Sequence, residues 1–175
     1  MTERYSSTTA GAIDTVRQHG LGDLLRRTAL RVPDKVAVIN GDTTLTFADF
    51  DRAVNRCANA LSSRGVVKGD RVALISHNCW QFAVLHYASA RLGSVLVPVN
   101  FGLGPEEISF ILDHSGARVV VVEDALAPTA SKAMELSGLT DALRGWIPMT
   151  GAPAETGWES VDEWMMTGDA TVPEV

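Results

Sequence analysis

Arg71-Val72-Ala73-Leu74-Ile75-Ser76, Ser94-Val95-Leu96-Val97-Pro98 and Arg118-Val119-Val120-Val121-Val122-Glu123 are three short and almost unbroken apolar runs. Between them lie two segments of helical character, Trp80 to Leu92 and Pro105 to His114. A strand with one wet face alternates apolar and polar residues, whereas a continuous apolar strand needs cover on both faces. Runs of that kind separated by helices predict a parallel sheet. Right-handed crossovers then give a doubly wound, Rossmann-like α/β unit with helices on both faces of the sheet.

Upstream of this unit, Leu21 to Arg31 reads as a short helix closed by Pro33. Lys35 to Ile39 and Thr43 to Phe47 flank Asn40-Gly41-Asp42, which predicts an N-terminal β-hairpin, because Asn-Gly accepts the positive φ that a tight turn demands. Thr46 stands where an N-cap belongs, with Asp49 three residues on. Phe50, Val54, Cys57, Ala58 and Leu61 then mark one face of a helix running to about Arg64, and Gly65 closes it.

Downstream, Ala125 to Ser137 reads as a helix with Pro128 in its first turn, and Arg144 to Met149 as one more short strand. Residues 150–159 are Gly/Ala/Pro-rich and acidic, and read as a surface linker. Ser160 and Glu163 match a capping box opening a short helix through Trp164 and Met165. The segment from Gly168 onward reads as an open tail. The expected organisation is a flexible N-terminal arm over 1–20, an α/β subdomain over 21–149, and a linker with a short helix over 150–175.

Composition narrows the function. At 175 residues the chain can bury roughly 70% of the surface that its unfolded form exposes, enough for a real core. A net charge of -6 excludes a general nucleic-acid binder, which needs a basic face. Arg26, Arg27 and Arg31 share one helix and read as its solvated side. Cys57 and Cys79 sit in apolar segments without the close pairing of a zinc or redox motif, and predict buried free thiols in a cytoplasmic protein. His19, His77, His86 and His114 are scattered, so no metal site is expected. The longest apolar run contains Gln81, His86, Arg91 and Pro98, and Arg91 alone would cost about 2.5–3.5 kcal/mol at a bilayer centre, so no transmembrane segment is expected.

Two places have features suited to a ligand. Gly102 and Gly104 lie between a strand and a helix, and Glu123 ends the next strand, where a dinucleotide fold keeps its ribose-binding acid. Glu107 occupies the third glycine position, however. With Glu106 it falls in the first helical turn, where a carboxylate gains about 0.3–1 kcal/mol from the helix dipole and repels a phosphate. That favours a capped turn. His77 and Asn78 end a parallel strand, the edge at which such sheets bind ligands, although Asn78 also suits the N-cap of the following helix. Trp80, Phe82 and Tyr87 read as core. Thr167-Gly168-Asp169 carries the letters of a ribose-contacting motif without the strand that precedes one, and reads as coincidence.

The order of the pieces resembles the opening of an adenylate-forming (AMP-binding) enzyme of the acyl-CoA synthetase kind. Pro33-Asp34-Lys35-Val36-Ala37, Leu45-Thr46-Phe47 and Asn55-Arg56-Cys57-Ala58-Asn59-Ala60-Leu61 are similar to successive early motifs of that family. So are Gly65 through Lys68-Gly69-Asp70-Arg71-Val72-Ala73, Leu92-Gly93 leading into Val97-Pro98-Val99-Asn100, and Glu107-Ile108 leading into Phe110-Ile111-Leu112. The resemblance implies a parent ligase that activates a fatty or related acid with Mg and ATP, forms an acyl-adenylate, and passes the acyl group to coenzyme A. It also implies that these residues are the N-terminal portion, since the family's Thr/Ser-Gly-rich phosphate loop and later motifs are absent from them. No catalytic, cofactor-binding or metal residue carries over by motif, so a scaffold inactive alone and binding no cofactor itself is expected. The remainder of the parent is its expected partner, with a homodimer through uncovered apolar surface as another expectation. A stand-alone interaction module and a small nucleotide-binding domain using Gly102, Gly104 and Glu123 are the alternatives.

Overall fold

The computed structural model describes residues 20–152 and 156–173. The expected arm over 1–20 falls almost wholly outside them. Helix α1 (Leu21–Arg31) leads into a hairpin of β1 (Val36–Asn40) and β2 (Thr43–Thr46), followed by α2 (Phe47–Ser63). The alternating unit comprises β3 (Arg71–Ile75), α3 (Trp80–Leu92), β4 (Val95–Val99), α4 (Pro105–Ser115) and β5 (Val119–Glu123). A single 3-10 turn (Asp124–Leu126) precedes α5 (Ala127–Leu136), β6 (Leu143–Ile147), β7 (Glu159–Ser160) and α6 (Val161–Thr167).

Strands β3 to β7 form one parallel sheet in the order β4-β3-β5-β6-β7, and the hairpin stands apart as an antiparallel pair. The apolar runs are continuous because successive residues serve opposite faces. Val72, Leu74, Val119 and Val121 pack in one core with Leu25, Val54, Leu61, Leu85 and Trp164 from α1, α2, α3 and α6. Ala73, Ile75, Val120 and Val122 pack in a second core with Ile108 and Leu112 of α4 and Ala130 and Met134 of α5. The doubly wound fold read from the sequence is borne out, hairpin included.

Local chemistry sets the helix ends. The Asp49 amide donates to Thr46 Oγ1 at 3.1 Å, the N-cap expected from the sequence, and the Thr46 amide donates back to Asp49 Oδ2 at 3.3 Å, which completes a reciprocal capping box. Gly65 has φ +82° just past α2, the left-handed conformation that a side chain resists. The Arg91 side chain is 5% exposed on α3. Its guanidinium pairs with Asp51 and donates to Asn55 Oδ1, both on α2, and donates to the Gly22 carbonyl of α1 at 3.3 Å. That one charge joins three helices.

Three local expectations change. Asn78 does not cap α3; Cys79 does, its sulfur accepting the Phe82 amide at 3.4 Å, and Asn78 lies exposed before it. Ser160 makes no side-chain cap for α6, and its backbone pairs with Trp146 as part of β7. The segment after α6 is tied down: Asn55 and Asn59 donate to the carbonyls of Asp169, Ala170 and Thr171 at 2.8–2.9 Å. Among the described residues no helix is long and apolar enough to cross a membrane.

Candidate functional site

Chain direction divides at the centre of this sheet. From β3 the path crosses to β4 on one side, and from β5 it continues to β6 on the other. In open α/β sheets of this order, ligands bind in the crevice outside the carboxyl ends of the two strands that flank the switch, here β3 and β5. The side chains at this crevice come from Ser76 and His77 after β3, Phe101 after β4, and Glu123 and Asp124 at the end of β5.

Glu123 is 4% exposed, yet its carboxylate is well supplied with donors. It accepts the His77 amide N–H at 2.7 Å and the Ser76 hydroxyl at 3.3 Å, and both of its oxygens lie 2.9 Å from His77 Nδ1. The His77 ring is half exposed and stacks on Phe101 with centroids 3.6 Å apart. Beside it, the Cys79 thiol is pushed up by burial, against the lowering effect of hydrogen bonds from the Phe82 amide and Ser76. Cys57 lies in the core, where burial pushes its thiol up to about 12.

Asp124, 2% exposed, turns toward the loop after β6. It accepts the amides of Met149 at 3.1 Å, Thr150 at 2.9 Å, Gly151 at 2.8 Å and Ala152 at 3.2 Å, and the Thr150 hydroxyl at 3.0 Å. Burial raises its pKa, but the hydrogen bonds from Thr150 and Met149 more than offset this and hold the carboxyl below its ordinary value.

Of the residues singled out from the sequence, His77 and Glu123 meet directly, and the loop carrying Gly102 joins them through Phe101. Gly104 is the N-cap of α4, and its amide donates to Glu107 Oε2 at 2.9 Å. Gly102 donates to Asn100 Oδ1 at 2.9 Å. The glycine turn is thus closed by its own side chains. Sequence reasoning missed Ser76, Phe101 and Asp124. The available signal was Glu123-Asp124, two acids ending an otherwise apolar buried strand, which demands partners for both.

A second depression, an open groove of about 690 Å³, lies between the hairpin, α2 and α6, lined in part by Leu45, Arg52, Trp80, Asp162 and Met166. Burial raises the Asp162 carboxyl there, against the hydrogen bond it accepts from Gln81 at 3.1 Å. Arg52 is already paired with Asp49. Among the described residues no cluster of three or more His, Cys, Asp or Glu side chains could hold a metal ion.

Fold and edge together define a doubly wound α/β domain of the type found at the N-terminus of adenylate-forming enzymes. The family model described as AMP-binding enzyme matches residues 25–163, and the chain belongs to that family. A long-chain-fatty-acid–CoA ligase of Mycobacterium tuberculosis, FadD13, is 35% identical over 158 residues, which cover 89% of this chain and 29% of the relative. A feruloyl-CoA synthase from an Amycolatopsis species is 41% identical over 106 residues, 61% of this chain and 22% of that protein. Among solved structures, the N-terminal domain of FACL13 from Mycobacterium tuberculosis aligns with a TM-score of 0.72 and 32% identity, covering 89% of this chain and 37% of that one. An anthranilate CoA ligase, AuaEII, shares the fold with a TM-score of 0.81 at 23% identity, over 90% of this chain and 30% of that one. The chain therefore spans about three-tenths of the FadD13 ligase, and it matches the N-terminal portion of such relatives.

Proposed function

We propose that this chain is the N-terminal α/β layer of an AMP-forming acid–CoA ligase, acting as scaffold and not as a catalyst by itself. The observation carrying this reading is a family match over residues 25–163 together with CoA-ligase relatives of which the chain spans less than a third. The parent reaction joins a carboxylic acid to the AMP portion of Mg-bound ATP, releasing pyrophosphate, and then passes the acyl group to coenzyme A, releasing AMP. A fatty or related acid is favoured by the FadD13 relative, and the feruloyl-CoA synthase keeps aromatic acids in view.

The residues of the carboxyl edge do not fit a phosphate group. Phosphate binding at such an edge uses open backbone amides and positive potential. Here the Gly104 amide is taken by Glu107, the Met149–Ala152 amides are taken by Asp124, and Glu123 adds a further buried carboxylate. Nucleotide chemistry is accordingly assigned to the remainder of the parent and not to Gly102, Gly104 or Glu123. Exposed Leu30, Ile39, Phe110 and Met166 supply apolar surface for that remainder to cover.

The test is turnover with Mg·ATP, coenzyme A and a panel of medium- and long-chain fatty acids. The chain alone is expected to form no acyl-CoA, and the chain joined to the C-terminal remainder of a long-chain ligase is expected to form it. Turnover by the chain alone would refute the scaffold role; a folded but inactive joined protein would count against the ligase assignment.

A further inference from the structure

Two consecutive acids end the central strand, and each holds the loop of a different neighbouring strand. Glu123 grips the β3 loop through the His77 amide, the His77 ring and the Ser76 hydroxyl. Asp124 grips the β6 loop through four successive amides and the Thr150 hydroxyl. Strands β3, β5 and β6 are already joined by their ladders, so closing the sheet does not call for two buried carboxylates. Burying them is costly unless they are hydrogen-bonded, and each accepts donors from the loop that it holds.

We infer that Glu123 and Asp124 form a positioning pair for the ligand edge: Glu123 sets the tautomer and orientation of His77, and Asp124 moulds residues 149–152. A neutral imidazole whose Nδ1–H donates to a carboxylate keeps its lone pair on Nε2. In its neutral form His77 thus offers the crevice a hydrogen-bond acceptor, held beside the partly exposed ring of Phe101. The ligand group suited to that position carries an N–H or O–H donor next to apolar surface. Residues 149–152 converge their amides as anion-binding nests do, and Asp124 fills that nest from within the chain. This inference rests on the chain's own geometry and stands whichever acid the parent activates.

The pair predicts separable effects, measured on the 175-residue chain by 15N NMR of the imidazoles and by amide hydrogen exchange. Neutral His77 is expected as the Nδ1–H tautomer, the reverse of the preference of a free imidazole. Glu123→Gln should move it toward the Nε2–H form while leaving exchange at 149–152 within about twofold of the parent chain. Asp124→Asn should speed exchange at Gly151 and Ala152 by roughly tenfold or more and leave the His77 tautomer unchanged. In Asp124→Gly, added formate should restore slow exchange where chloride does not. An Nε2–H tautomer in the unmodified chain would overturn the proposal, and that measurement needs no variant to fold. So would either substitution disturbing both loops alike.

Discussion

Gly65 and Asp51 carry the sharpest consequences at the scale of single residues. With φ +82°, Gly65 occupies a conformation that a β-branched side chain resists. Gly65→Val should therefore destabilise by about 1 kcal/mol or more, read as a lower thermal midpoint; an unchanged midpoint would contradict the cap. Asp51 balances the buried Arg91 guanidinium. Removing one partner of a buried pair strands the other, so Asp51→Ala should cost about 3–5 kcal/mol in denaturant unfolding. A loss below about 1 kcal/mol would show that Asn55 and the Gly22 carbonyl suffice. The two residues also differ in how visible they were. Gly65 is legible because its cause is local, a helix pattern that stops one residue earlier. The Arg91–Asp51 pair joins positions 40 apart, and sequence spacing says nothing of such a meeting.

Among elements, the β6 loop and the start of α4 make the clearest claims. Asp124 has a depressed pKa in the folded chain, so its contribution is present above its ordinary value of 3.8 and is lost as pH falls through the lower folded value. The urea midpoint of the parent chain should exceed that of Asp124→Asn at neutral pH, and the gap should close below about pH 4. A gap independent of pH would mean that the carboxylate charge is not what holds the loop. At α4, Glu107 satisfies the Gly104 amide, so the turn is complete without a ligand. Glu106→Lys should not create ATP binding in a titration, and a clear gain would contradict the closed turn. Long, strongly patterned elements were legible: α1, α3 and the core of the β3-to-β5 unit fall where periodicity put them. Strand β7 was not, because two residues, Glu159 and Ser160, carry no alternation and their partner strand lies 14 residues earlier. The cap of α3 was misread for a similar reason. Asn is the better general cap, but here the turn presents the Cys79 sulfur to the Phe82 amide.

Across the whole molecule, two cores share one sheet, and two buried acids, Glu123 and Asp124, stand at its candidate ligand edge. The fold class was legible because an apolar strand covered on both faces writes its burial directly into the sequence. The candidate site was legible only in part. His77 and Glu123 announce themselves as polar residues ending apolar strands, while their direct contact depends on β3 and β5 being neighbours, which only the strand order reveals. Asp124 was missed because most of its partners, Thr150, Gly151 and Ala152, lie in a stretch read from composition as the start of a linker. The most direct test of the central claim is isothermal titration of the chain with Mg·ATP. Negligible heat is expected, because the amides and acids of the edge are committed to one another. Micromolar binding would contradict the scaffold reading and make the crevice between β3 and β5 a nucleotide site in its own right.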